Sequence, residues 1–211
     1  NLFFKCLTAF RSQNKTAKLF CVGDNWQAIN RFAGSNTTYF TEFSKYFGNA
    51  KQLKISTNYR SKKHIVGAGN SIMQNNGMPA ISSSNEPGSI KIVDLDKFEF
   101  SISERLKFDQ QTFVPAIIRI CAQLLKNKKT VTLLSRTNHV RWPIGGINAK
   151  LDEFLIELRK FFPASVRENI DASSTHSYKG KQADAIILID FKQNYYPFIH
   201  PKNNFSRIFG D

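Results

Sequence analysis

The stretch Ser173–Asp190, SSTHSYKGKQADAIILID, has three parts: a short run up to Thr175-His176, a turn at Lys179-Gly180, and the apolar run Ala185–Ile189. Unbroken apolar character over a strand's length predicts a strand covered on both faces, as in parallel sheets. Ile170–Ala172 predicts a second strand, so the hydroxyls, the lysine and the turn amides fall in a loop between two sheet strands. Such groups commonly grip the phosphates of a nucleic-acid backbone. His176 alone is more often structural than catalytic. KGKQ is no phosphate-cradling loop, because GxxxxGK[ST] spacing occurs nowhere in the chain.

Working outward, further β-branched runs at Leu19–Val22, Leu53–Ser56, Ile90–Val93 and Val131–Leu134 read as strands. Between them, helices are predicted at Leu2–Arg11, Tyr39–Phe47, Lys62–Met73, Phe113–Lys126 and Leu151–Phe161. This alternation predicts an α/β fold with a parallel sheet flanked by helices. In Phe113–Lys126 the residues Phe113, Ile117, Ile120, Cys121, Leu124 and Leu125 recur at helical spacing and define a core face. Gln74–Ser89 and His139–Lys150, rich in turn formers, read as exposed loops. The pattern does not give strand order.

The 211 residues suffice for one domain, or one plus part of another. Thirty Lys and Arg against 16 Asp and Glu give a net charge of +14, which suits polyanions and equally suits a solvated surface. Cys6, Cys21 and Cys121 form no CxxC pair, and Cys6 and Cys21 sit in apolar runs that read as core. A reducing, cytoplasmic setting without a metal site is expected. No run approaches the roughly 18 to 20 apolar residues of a membrane span. The ends carry neither a leader nor a stop signal of their own, so the chain is expected to be an interior piece of a longer protein.

Two other stretches carry chemistry. In Leu19–Ser35, LFCVGDNWQAINRFAGS, an expected strand runs into Gly23-Asp24 at its carboxyl end, where open α/β sheets place ligands. Gln27 there could bond a phosphate oxygen or orient a water, and Trp26 and Phe32 could stack on bases. Equally, Asp24 and Asn25 could cap a turn while Trp26 and Phe32 plug a core. In STNYRSKKHI, Ser56–Ile65, Tyr59 offers a flat ring and Arg60 a fork of donors suited to phosphate. The plain alternative is a half-buried Tyr and a surface Arg before a helix whose N-cap is Ser61.

Taken in order, VGDNWQAINRFAGS, NYRS and THSYKGKQAD resemble the third, fourth and fifth motifs of superfamily 1 DNA helicases of the UvrD/Rep type, nearest to the helicase IV branch. The resemblance implies RecA-like (P-loop NTPase-like) architecture: residues 1–52 as the end of a first motor domain and 53–211 as most of a second. It implies that Gln27 senses the nucleotide γ-phosphate and Arg60 contacts it, each as both ligand and catalytic group, while Tyr59 stacks on adenine. Gly180 and Gln182 would approach the nucleotide from the other side of the cleft. Trp26, Asn30, Phe32, Thr175, His176 and Lys179 would line the DNA track.

Asn30 stands where the family usually has Tyr, and Gln182 where it usually has a ribose-binding Glu. Arg136 and Thr175 enclose fewer than forty residues, too few for the family's large inserted subdomain. ATP is the implied cofactor, with Mg2+ whose ligands would lie in a region outside this segment, as would the phosphate loop. The implied partner is single-stranded or partly duplex DNA, with repair or replication proteins as candidates and no membrane. The expected function is part of a 3′-to-5′ ATP-dependent DNA helicase, with this segment unable to hydrolyse ATP alone. The alternatives are a helicase-derived binding module and a nuclease-fused relative.

Overall fold

A computed structural model describes residues 2–28, 36–74, 77–108, 112–141, 148–189 and 191. The chain divides into two units, residues 1–55 and 56–211. In the first, α1 (Leu2–Gln13) meets two short helices, α2 (Thr38–Thr41) and α3 (Phe43–Phe47). One helix was expected over Tyr39–Phe47; Glu42, at φ −107° and ψ 38°, interrupts it. Aromatic rings hold the unit: Phe4 stacks on Tyr39 at 4.6 Å and meets the edges of Tyr46 and Phe47, each at 5.6 Å. Arg11 donates to the Phe47 carbonyl at 3.1 Å, fixing α1 to the end of α3.

In the second unit β1 (Thr57–Asn58), α4 (Lys63–Ile72) and β2 (Ile81–Ser82) form a small parallel β-α-β turn. The Asn70 amide both accepts from the Ala80 backbone and donates to it, each at 2.9 Å, binding the end of α4 to the start of β2. A capped helix α5 (Ile102–Lys107) follows, then α6 (Val114–Lys126) and β3 (Val131–Ser135). A hairpin of β4 (His139–Arg141) and β5 (Asn148–Lys150) precedes α7 (Leu151–Arg159), α8 (Ala164–Arg167), β6 (Ile170–Ser174) and β7 (Ala185–Leu188).

The fold is thus mixed α/β with small parallel sheets. The main sheet has the order β6-β3-β7, all parallel, with Val131 level with both Ile170 and Ala185. Val131, Leu133 and Ile170 face a core completed by Val114, Ile117, Cys121 and Leu125 of α6 and by Leu151, Phe154, Leu155 and Leu158 of α7. The expected core face of α6 is there except for Ile120, which is only half-buried and outside the core, while Val114 joins it. Burying each such large side chain contributes about 1.5 to 3 kcal/mol, so the packing of α6 and α7 on the sheet holds the carboxyl ends of β3 and β6 in place.

Several expectations are corrected. Leu19–Val22, Leu53–Ser56 and Ile90–Val93 are not strands. Phe20 and Ile92 are 87% and 94% exposed, and apolar runs become strands only where a second backbone completes a ladder. Cys6 and Cys21 are exposed rather than core, since α1 turns Phe4, not Cys6, into the aromatic cluster. Both expected loops contain strand: β2 lies within Gln74–Ser89, and β4 and β5 pair antiparallel within His139–Lys150. β7 is covered on one face only, Ile186 and Leu188 being exposed at the sheet's edge.

Candidate functional site at the sheet's carboxyl edge

β3 and β6 end side by side at Ser135 and Ser174. The Thr175 amide donates to the Ser135 carbonyl at 2.8 Å, carrying the ladder one step past the strands. The loop then folds on itself. The Tyr178 amide donates to the Ser174 carbonyl at 3.0 Å, and the Ser174 hydroxyl donates to the Ser177 hydroxyl at 2.9 Å. The Tyr178 hydroxyl donates to Thr132 Oγ1 at 3.3 Å, anchoring the loop over β3. Gly180 has φ +87°, a left-handed conformation that a side chain disfavours, which accounts for Lys-Gly at this turn.

Thr175, His176, Lys179, Gly180 and Gln182 therefore share one braced loop running from the end of β6 to the start of β7. His176, Lys179 and Gln182 are exposed. Arg136, the first residue after β3, places Nη1 3.2 Å from His176 Nδ1. Sequence reading missed Arg136, although a cation just past a strand's carboxyl end was a usable signal. Beside the loop lies a cavity of about 460 Å³ lined by Asn138, His139, Lys150, Asp152, Ser173 and Ser177, among others. The hairpin and the N-terminus of α7 supply three of these six groups, His139, Lys150 and Asp152.

At the far end of the loop, the Asp184 carboxylate accepts from both the amide and the hydroxyl of Thr130, each at 2.8 Å. These bonds hold its carboxyl below the ordinary range. They also fix where β7 begins relative to β3, and with it where Gln182 is presented.

Tyr59 and Arg60 follow β1 directly. The Asn58 side-chain oxygen accepts from the Arg60 and Ser61 amides at 3.0 and 2.8 Å, an Asx turn that sets both residues' backbone. Tyr59 is 81% exposed, so the half-buried alternative is wrong for this ring. Ser61 does not cap α4 either. The N-cap position is Lys62, and the first helical amides, Lys63 and His64, donate to the Glu86 and Pro87 carbonyls at 3.1 and 2.7 Å. Ser61 instead accepts on its carbonyl from the Ser82 hydroxyl.

In the first unit, Asn25–Gln27 form a 3-10 turn after Gly23-Asp24. Gln27 Nε2 donates to Asp24 Oδ2 at 2.8 Å, holding the exposed amide. A Cβ at Gly23 would sit 2.9 Å from the Phe40 ring, so a side chain here would have to displace that ring. The Trp26 side chain, Asn30 and Phe32 lie outside the described residues. Among the described residues no three His, Cys, Asp or Glu gather as a metal site. No described helix is long and apolar enough to cross a membrane.

Comparison with known proteins places these features in company. The chain is 27% identical over 192 residues to DNA helicase IV of Escherichia coli (strain K12), covering 89% of this chain and 24% of that protein. Over 58 residues it is 40% identical to the ATP-dependent DNA helicase PcrA and 38% identical to the putative ATP-dependent DNA helicase YjcD, both of Bacillus subtilis (strain 168), covering 28% of this chain and 8% of each. It thus spans about a quarter of the first relative's length and less than a tenth of the others'. No family model and no solved structure matches it.

Proposed function

We propose that this chain, similar to DNA helicases as the UvrD/Rep-type motifs lead one to expect, is the part of an ATP-dependent 3′-to-5′ DNA helicase that carries one wall of the nucleotide cleft and one wall of the single-strand track. Its architecture is read as RecA-like: residues 1–52 close a first motor domain, and residues 53–211 form most of a second without a large insertion. The observation that carries this reading is the braced loop after β6, which carries Thr175, His176 and Lys179 and brings His176 against Arg136 at the carboxyl edge of a parallel sheet. Hydroxyl, imidazole and cationic donors there suit phosphate and sugar contacts.

In this reading Tyr59 takes an adenine face and Arg60 a γ-phosphate oxygen, both presented by the Asx turn at Asn58. Gly180 and Gln182 reach the same nucleotide from the loop's far end, and Gln27 couples phosphate to DNA. Trp26, Asn30 and Phe32 continue the DNA track. ATP with Mg2+ supplies the energy of stepping. This segment has no phosphate loop and is inactive alone. Its setting is cytoplasmic, with DNA, and repair or replication proteins, as partners. The second reading, a helicase-derived nucleic-acid or protein binding module without ATPase activity, is favoured by Asn30.

Titrating a labelled single-stranded oligonucleotide with the chain tests the shared part of both readings. Affinity should fall linearly with salt on a logarithmic scale and weaken in Lys179→Ala. A chain that binds no DNA at low salt, or binds it without salt dependence, contradicts the helicase reading and the nucleic-acid form of the second, leaving only a protein-binding module.

A further inference from the structure

The turn between α6 and β3 ends the helix in an unusual way. The Lys128 amide donates to the Leu125 carbonyl at 2.9 Å and the Lys129 amide to the Leu124 carbonyl at 3.3 Å, the paired bonds of a Schellman cap. The residue that must turn left-handed in such a cap is usually glycine, yet here it is Lys128, at φ +54°. A lysine side chain is thus held where backbone preference argues against it. Lys126 and Lys129 flank it, and all three are exposed.

The register places this turn at the amino edge of the main sheet, level with the residues before Ile170 and Ala185. Lys62, exposed like Lys63 at the start of α4, pairs with Glu86, and the charge of Lys129 also acts on Glu86. Lys62 and Lys129 both act on Asp184. Lys62 and Lys129 therefore share this surface with Glu86 and Asp184, and Lys63, Lys126 and Lys128 stand within three residues of them in the chain. Five strand residues at about 3.3 Å each put it about 16 Å from the ends of β3 and β6, or about five phosphates along a B-form strand at about 3.4 Å per phosphate. It is a separate surface from the Thr175–Lys179 loop.

We propose that Lys62, Lys63, Lys126, Lys128 and Lys129 form a second nucleic-acid backbone contact, on the amino edge of the sheet. Flexible ammonium groups spread over an open turn suit a repeating phosphate chain better than one phosphate held bidentately. This inference rests on the DNA-binding reading above. It adds a contact that the helicase-like motifs do not include.

The test is Lys128→Gly combined with Lys126→Gln and Lys129→Gln in the full 211-residue chain. The glycine removes a charge while relieving the backbone, so the melting temperature should not fall. Binding of single-stranded and duplex oligonucleotides is followed from low to moderate salt. The logarithmic salt slope is expected to shrink by about two to three units, at about 0.7 to 0.9 per lost contact. Shrinkage with only one of the two oligonucleotides identifies the strand form bound and supports the proposal. An unchanged slope in a folded variant overturns this surface and leaves the main reading standing. A wild-type chain that binds neither oligonucleotide overturns both.

Discussion

Arg136 Nη1 lies 3.2 Å from His176 Nδ1, tying the residue after β3 to the loop after β6. Arginine has no acceptor, so Nδ1 accepts and Nε2 carries the imidazole proton. Replacing Arg136 with Met, which keeps the stem, should weaken single-strand binding roughly five-fold, the equivalent of about 1 kcal/mol for one hydrogen bond. Anisotropy titration at fixed salt measures this. An unchanged affinity would show that the ring needs no such support.

Glu104 closes a capping box with Ser101 and binds Arg119 through both carboxylate oxygens, while the Arg119 guanidinium lies 4.7 Å from the Phe98 ring centre. Arg119 first, and then the Ser101 bonds, hold the Glu104 carboxyl down to about 2. A depressed carboxyl contributes stability in full above its ordinary value near 4.5 and loses it as pH falls towards 2. Glu104→Gln should therefore cost about 1 kcal/mol at neutral pH and flatten the loss of melting temperature between pH 4.5 and pH 2. A variant whose acid limb parallels the wild type contradicts the assignment.

Thiol labelling separates the cysteines. Cys6 and Cys21 are exposed, whereas Cys121 is fully buried on α6 and burial pushes its thiol up to about 12. In the folded chain two thiols should react with a water-soluble disulfide reagent within minutes, and the third only on unfolding. Three fast thiols would contradict the packing of α6 against β3.

Phe154, on α7, is fully buried. Phe154→Ala should destabilise the second unit by about 3 to 5 kcal/mol, measured by urea unfolding. A loss below about 1 kcal/mol would show that α7 is not the lid of this core.

The sequence made β3, β6, β7 and the face of α6 legible because their apolar residues also find partners inside the chain. Leu19–Val22 and Ile90–Val93 carry the same pattern and form no strand, since composition reports what a segment could bury and not whether a second backbone is there to pair with it. The helix expected at Lys62–Met73 forms, but its cap comes from Glu86 and Pro87, more than twenty residues away, which no local signal could disclose. Motif order singled out Tyr59, Arg60 and the Thr175–Lys179 stretch, and that stretch forms a loop between two sheet strands as expected. Arg136 was passed over although its place just past a strand could be read, its partner lying forty residues on, and Lys128 was not legible because it stands out through a backbone angle.

The most direct measurement is the DNA-stimulated ATPase rate of Arg60→Ala in the longer helicase to which this segment is proposed to belong, together with its affinity for single-stranded DNA. Loss of a cation stabilising the transferring phosphate should cost about 10³-fold or more in turnover and leave DNA affinity unchanged. Turnover at the wild-type rate would contradict the proposal that this chain forms half of a nucleotide cleft.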